Sequence, residues 1–227
     1  MTTIEKLRGF LPTISVGILT ADMMNLQREL DLIEQAGVKL LHFDVMDGRV
    51  WPKITAGAFL VSGVKTPLLK DVHLLIDKPE EHIEAFIKAG ADIITFSVEY
   101  CADVKTTLEA IRRMQKAKDL LIGLSLNPLT SIDTIADFID DIDIVELLAI
   151  GPDTGNDNFI WALPERISQL RRLKKDILVF VDGAIKKDNI AEVAKMGPDV
   201  IVTGSAVFDG KDPRGNAEFM LNSLQRG

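Results

Sequence analysis

Three histidines occur in the 227-residue chain, and two of them, His42 and His73, fall inside short aliphatic runs. A histidine buried in a strand needs partners for its ring nitrogens. His42 has a candidate close by: Asp44 is two residues on, so in an extended strand both side chains leave the same face. A later run ends in Asp182, followed by Gly183. Two imidazoles and two carboxylates brought together form a donor set for Zn²⁺ or another divalent transition ion. They could equally be core histidines hydrogen-bonded to carboxylates, and periodicity leaves both readings open. The third histidine, His82, stands among Glu80, Glu81 and Glu84 in a helix-like stretch, which reads as solvated surface. Gly204 and Ser205 close another apolar run. Glycines there and at Gly183 can turn backbone N–H groups toward a phosphate, or can simply make turns.

Positioning these side chains falls to eight apolar runs, at residues 14–19, 39–45, 69–76, 92–99, 120–126, 143–150, 177–182 and 199–204. Several are apolar on consecutive residues, as in parallel strands covered on both faces. Between them lie stripes of helical period: Met23, Leu26, Leu30 and Ile33; Ile83, Phe86 and Ile87 after Pro79; Leu108, Ile111 and Met114; Ile190, Val193 and Ala194. AGVKLLHFDV (36–45), AGADIITFSV (89–98) and MGPDVIVTGS (196–205) repeat a helix-ending glycine followed by a strand. Their spacing gives about 27 residues per βα unit, and eight units fill the chain. The expectation is a single-domain α/β fold, a (β/α)₈ TIM barrel over residues 13–227, with 1–12 as an N-terminal extension of unassigned role. An open doubly wound sheet is the rival, weakened because no G-x-G-x-x-G follows the first run. In a barrel the site lies at the C-terminal ends of the strands, where the singled-out residues fall.

Composition narrows the classes. Hydrophobic residues make up 47% and charged residues 26%, which argues for a packed core. No run of 18 apolar residues appears, so no membrane span is expected. The net charge of −8 argues against a general affinity for nucleic acid. The start of the chain carries Glu5 and Pro12 and lacks a small-residue cleavage site, and Cys101 is the single cysteine. Both features point to a cytoplasmic protein, with Cys101 a bystander thiol.

The segments ISVGILTAD (14–22), LHFDVMDG (41–48), DVHLL (71–75), AGADIIT (89–95), VDGA (181–184) and TGSAVF (203–208) resemble, in order and spacing, those of the ribulose-phosphate 3-epimerase family. The resemblance runs from about residue 13 to about residue 224. It implies a (β/α)₈ barrel that inverts the stereocentre beside a ketone in a sugar phosphate, ribulose 5-phosphate by default. It implies one divalent metal ion (Zn²⁺, or Mn²⁺, Fe²⁺ or Co²⁺) held by His42, Asp44, His73 and Asp182, and no organic cofactor. Asp44 and Asp182 would also be the paired acid and base, one taking a proton and the other returning one to the opposite face of an enediolate. Substrate binding would fall to Met46, to Gly155 and Asn156 after the sixth strand, and to Gly183, Ala184, Gly204 and Ser205. The partner implied is a small ketose phosphate, with neither nucleic acid nor membrane, and the assembly a homo-oligomer.

The chain departs from the family pattern at several points. A substrate-binding serine after the first strand is replaced by Gly17, and a frequent histidine on the fourth strand by Ser97. Leu75 and Leu148 stand where methionines commonly line the metal site, although Met46 remains. The glycine-rich phosphate loop after the sixth strand reads Gly151-Pro152-Asp153-Thr154-Gly155-Asn156-Asp157, with two added carboxylates. Those charges either face solvent or signal a changed substrate. Arg49, Trp51 and Lys53 lie in the loop after the second strand, as surface or as substrate contacts. Two other readings remain: an altered-substrate or non-catalytic sugar-phosphate-binding barrel, and a decarboxylase on the same scaffold. The decarboxylases often carry D-x-K-x-x-D; Asp44-Val45-Met46-Asp47 lacks that lysine.

Overall fold

A computed structural model describes residues 1–115, 118–152, 154 and 158–225. Eight strands lie where the apolar runs predict them: β1 (Thr13–Gly17), β2 (Leu40–Met46), β3 (Leu69–Leu75), β4 (Ile93–Ser97), β5 (Leu121–Leu126), β6 (Ile144–Leu148), β7 (Leu178–Asp182) and β8 (Val200–Thr203). Each pairs in parallel with the next, and β8 pairs with β1, closing the barrel. The chain is a (β/α)₈ TIM barrel. Helix α1 (Thr3–Arg8) precedes β1. The connections are α2 (Leu26–Gln35), α3 (Ala58–Gly63), α4 (Ile83–Lys88), α5 (Val104–Gln115), α6 (Leu163–Leu173), α7 (Ile190–Lys195) and α8 (Pro213–Leu224).

Two local features depart from the periodicity. Between β5 and β6 the chain forms a 3₁₀ run, Ile132–Asp141, although Ile132, Ile135 and Ile139 recur at helical spacing. All three are buried, so burial follows the pattern while the hydrogen bonding is the tighter kind. Met23 does not join the stripe of α2. It lies in a separate 3₁₀ turn capped by Asp22 and is exposed, whereas Leu30 and Ile33 are buried.

Alternation along each strand divides the core. One face (Phe43, Val45, Val72, Leu74 and Val145 among others) packs outward against the helices in the main hydrophobic cluster. The other face fills the barrel in layers. The lowest layer is apolar: Leu40, Leu69, Ile93, Leu121, Ile144, Leu178, Phe180 and Val200. Leu7 of α1, fully buried, joins it, with Ile4, Phe10 and Leu11 packed alongside. The N-terminal segment thus stoppers the bottom of the barrel. Its helix starts at a capping box, in which Thr2 N–H donates to Glu5 Oε2 and Glu5 N–H to Thr2 Oγ1. Above the apolar layer the lining turns polar.

Candidate active site and metal centre

Register brings the polar residues together. His42 stands opposite Asp71 and Asp44 opposite His73 across the β2–β3 pair, while Ser125 of β5 faces Glu146 of β6. Ser15, His42, Asp71, His73, Thr95, Ser97, Ser125 and Glu146 are all fully buried. Asp44 and Asp182 lie at the top of this polar stack, with side chains 15% and 19% exposed. They alone of the set reach the cavity at the mouth.

The two imidazoles are fixed from behind. Asp71 Oδ2 accepts from His42 Nδ1 at 2.8 Å and from Ser15 Oγ at 2.8 Å. That leaves His42 Nε2 facing Asp44 Oδ1 at 3.2 Å. His73 Nε2 is 2.9 Å from Ser125 Oγ, which is 3.1 Å from Ser97 Oγ. His73 Nδ1 therefore points at three carboxylates: Glu146 Oε1 at 3.3 Å, Asp44 Oδ1 at 4.0 Å and Asp182 Oδ2 at 4.0 Å. It is buried and makes no hydrogen bond, and neither does either Glu146 oxygen. The two rings pack edge to face, 5.7 Å between centroids. Donor atoms of His42, His73, Glu146 and Asp182 lie within 4.8 Å of one another.

This donor set fits a divalent cation. Each ring has one nitrogen engaged by a hydrogen-bonding partner and the other turned to the carboxylates, the arrangement that orients metal-binding imidazoles. An unpartnered buried nitrogen beside three carboxylates is costly unless a positive charge lies among them.

The side chains alone already disagree about charge. Burial opposes charging of His42, yet Asp71 and Asp44 overcome it and hold its pKa well above 6.5. His73 is pushed down to about 3, by burial first and then by the charge on His42. Asp44 is lowered despite burial, because His42 attracts and hydrogen-bonds its carboxylate. Asp182 is raised to about 7, by burial and then by the negative charge of Asp44. Glu146 is raised well above its ordinary value, chiefly by burial. At neutral pH the two mouth aspartates thus differ in protonation, although they are chemically identical.

A cavity of about 160 Å³ opens above them, lined by Gly17, Asp44, Asp182, Gly183, Ala184, Gly204 and Ser205 together with Thr20, Lys186 and neighbouring aliphatic groups. Gly183 has φ +99°, and a Cβ there would stand 2.6 Å from Ile150 Cγ1. Ala184 follows at φ +58°. At Gly204 a Cβ would lie 2.8 Å from the Gly17 carbonyl oxygen, so the close approach of β8 to β1 requires glycine. Lys186 Nζ donates to Ser205 Oγ at the same end.

Of the sequence-predicted site residues, His42, His73 and Asp182 bring donor atoms together in one group with Glu146, Asp44 stands beside that group, 3.2 Å from His42 Nε2 and 4.0 Å from His73 Nδ1, and Gly183, Ala184, Gly204 and Ser205 line the cavity. Met46 is placed differently. It packs with Leu75 and Leu148 in a small apolar cluster covered by Leu19 and Trp51, above the polar layer. Gly155 and Asn156, with Asp153 and Asp157, lie outside the described residues. Glu146 and Lys186 were not foreseen. Asp47 is structural: Oδ1 accepts from the N–H of Arg49 and Val50, and Oδ2 from the N–H of Asp77, tying the β2 and β3 loops together. Arg49 pairs with Asp77 at 2.8 Å on the surface. His82 is exposed, and Cys101 contacts Thr107 Oγ1, its thiol pushed up by burial. Among the described residues no helix is long and apolar enough to cross a membrane.

A parallel eight-stranded barrel with histidines and carboxylates converging at its C-terminal mouth, beside glycine turns, defines a barrel enzyme acting on a small anionic substrate. A sequence model of the Ribulose-phosphate 3 epimerase family matches residues 13–208. The chain is 36% identical over 206 residues to the ribulose-phosphate 3-epimerase of Bacillus subtilis, covering 88% of this chain and 93% of that one. It is 37% identical over 208 residues to the Synechocystis enzyme of that name (86% and 87%), and 32% identical over 225 residues to that of Escherichia coli (94% and 96%). Among solved structures, KGPDC from Streptococcus mutans superposes with a TM-score of 0.64 at 15% identity, over 95% of this chain and 98% of that one. A tryptophan synthase from Mycobacterium tuberculosis gives 0.69 at 12% identity, over 99% and 97%. These two show the fold alone. The chain belongs to the ribulose-phosphate 3-epimerase family, and it is an isomerase.

Proposed function

We propose that the protein is a cytoplasmic, divalent-metal-dependent 3-epimerase that interconverts ribulose 5-phosphate and xylulose 5-phosphate. The observation that carries this reading is the pair Asp44 and Asp182, each 4.0 Å from the same unpartnered His73 nitrogen and each on the wall of one cavity. Inverting a carbon beside a ketone requires a proton taken from one face and a proton returned to the other. Asp44 on β2 is held ionised by His42 and is ready to accept a proton. Asp182 on β7 lies across the cavity from it, its carboxyl raised to about 7 in the metal-free chain by burial and by the charge of Asp44. A two-residue inversion needs one carboxylate to take the proton and a second group on the other face to return one, and the reverse reaction exchanges their roles.

His42, Asp44, His73 and Asp182 would hold the cation (Zn²⁺, Mn²⁺, Fe²⁺ or Co²⁺). When bound, a divalent cation would offset the negative charge that develops on the ketone and adjacent hydroxyl oxygens. Asp71 and Ser125 hold one nitrogen of each imidazole, which leaves the other facing the carboxylates. Backbone N–H groups around Gly183, Ala184, Gly204 and Ser205 would bind the phosphate, with the Lys186 ammonium supplying opposite charge. Met46, Leu75 and Leu148, packed with Leu19 and Trp51, would form the apolar surround of the polar layer.

The test is an assay for xylulose 5-phosphate formed from ribulose 5-phosphate, with chelator-stripped and metal-reloaded protein. Turnover should vanish on stripping, return on reloading, and fall by at least ~100-fold in Asp182→Asn. Undiminished turnover by the stripped protein, or by Asp182→Asn, counts against the proposal.

A further inference from the structure

Glu146 is a carboxylate of this site that the family resemblance does not assign. It sits midway along β6 between Val145 and Leu147, its side chain fully buried. Neither carboxylate oxygen makes a hydrogen bond, although Oε1 is 3.3 Å from His73 Nδ1. A buried carboxyl group with nothing to bond is destabilising, so a leucine would pack there with less penalty. Its donor atom lies within 4.8 Å of those of His42, His73 and Asp182. Unlike Asp44 and Asp182, it does not line the mouth cavity, so it is out of reach as a proton carrier to substrate.

We propose that Glu146 is a fifth protein ligand of the cation, approaching from the barrel interior and leaving the mouth side to the substrate. The assignment rests on the reading of a divalent cation at this site. It makes the donor set three carboxylates and two imidazoles. Zinc favours four ligands and tolerates few additional ones, whereas Mn²⁺ and Fe²⁺ take six and favour carboxylate oxygen. Glu146 therefore biases the site from zinc toward manganese or ferrous iron.

The test is binding of Mn²⁺ and of Zn²⁺, each alone, to stripped wild type, Glu146→Gln and Glu146→Leu, measured by competition with a metallochromic chelator at one neutral pH. Near-ultraviolet circular dichroism reports whether each variant keeps its packing. Glu146→Leu relieves the buried polar group and keeps the protein folded if Glu146→Gln does not. The expected result is a loss of at least tenfold in Mn²⁺ affinity, a smaller loss for Zn²⁺, and so a shift in preference toward zinc in whichever variant is folded. A wild type that takes up one cation, with folded variants matching its Mn²⁺ affinity and preference, overturns the assignment alone. A wild type that takes up no cation overturns the metal-site reading and this assignment with it.

Discussion

Treating the protein with a chelator should leave a fold that weakens as pH rises through neutrality. The argument is one of retained protons. His42 keeps its proton well above pH 6.5 because Asp71 and Asp44 outweigh the effect of burial. Glu146 keeps its own well above pH 4.5, chiefly through burial. Asp182 titrates at about 7, against 3.8 for an ordinary aspartate. In all three the folded pKa lies above the unfolded one. Their stabilisation is complete below the unfolded pKa and is lost as pH rises toward the folded pKa. His73 opposes them. Lowered to about 3, it stays neutral in the fold while the unfolded chain binds a proton below pH 6.5. Between pH 4.5 and 6.5 it therefore cancels the contribution of Asp182. Above pH 6.5 that cancellation ends and His42 adds its own retained proton. Each proton retained only in the fold contributes a slope of about 1.4 kcal/mol per pH unit. The chelated protein is therefore expected to lose stability, and Tm to fall, as pH rises above 6.5. A bound divalent cation replaces those protons, so it should stabilise far more at pH 8 than at pH 6. The assay is thermal unfolding by circular dichroism at pH 6, 7 and 8, with EDTA and with excess Mn²⁺. A chelated protein equally stable at pH 6 and pH 8, with a cation-induced Tm shift independent of pH, would refute the reasoning.

Two further substitutions probe the supports of the site. Asp71→Asn removes the carboxylate that fixes His42 and should weaken metal binding by about 10–100-fold, read by the same chelator competition; unchanged affinity would make Asp71 a core residue only. Leu7→Ala empties the stopper of the lower barrel and should cost about 2–5 kcal/mol in denaturant unfolding, with turnover per folded molecule preserved. A cost near zero would mean that the N-terminal helix is not part of the folded core.

The strands were legible because both of their faces are buried, which leaves continuous apolar runs. His42, Asp44, His73 and Asp182 stood out as polar breaks in those runs, and one barrel mouth gathers them. Glu146 breaks its strand in the same way: IVELL places it on the inward parity with Ile144 and Leu148. That parity was the available signal, but a single acid among aliphatics invites assignment to a strand end. Lys186 follows a turn at Gly183 and Ala184, and although Gly183 signals the turn, nothing announces the positive φ of Ala184. The 3₁₀ run after β5 shares its apolar spacing with an α-helix, so periodicity found its buried face and missed its winding. Met23 fits the α2 stripe by spacing alone, yet the Asp22 cap starts a separate turn and leaves its side chain outside.

The central claim is that Asp44 and Asp182 exchange protons with opposite faces of one carbon. The most direct measurement is incubation of metal-loaded protein with ribulose 5-phosphate in D₂O, followed by mass and NMR analysis of both epimers. The account predicts one solvent deuterium at C3 of the xylulose 5-phosphate formed, with none incorporated by Asp44→Asn or Asp182→Asn. Product formed with its original hydrogen retained at C3, or deuterium entering at wild-type rate in either variant, would contradict it.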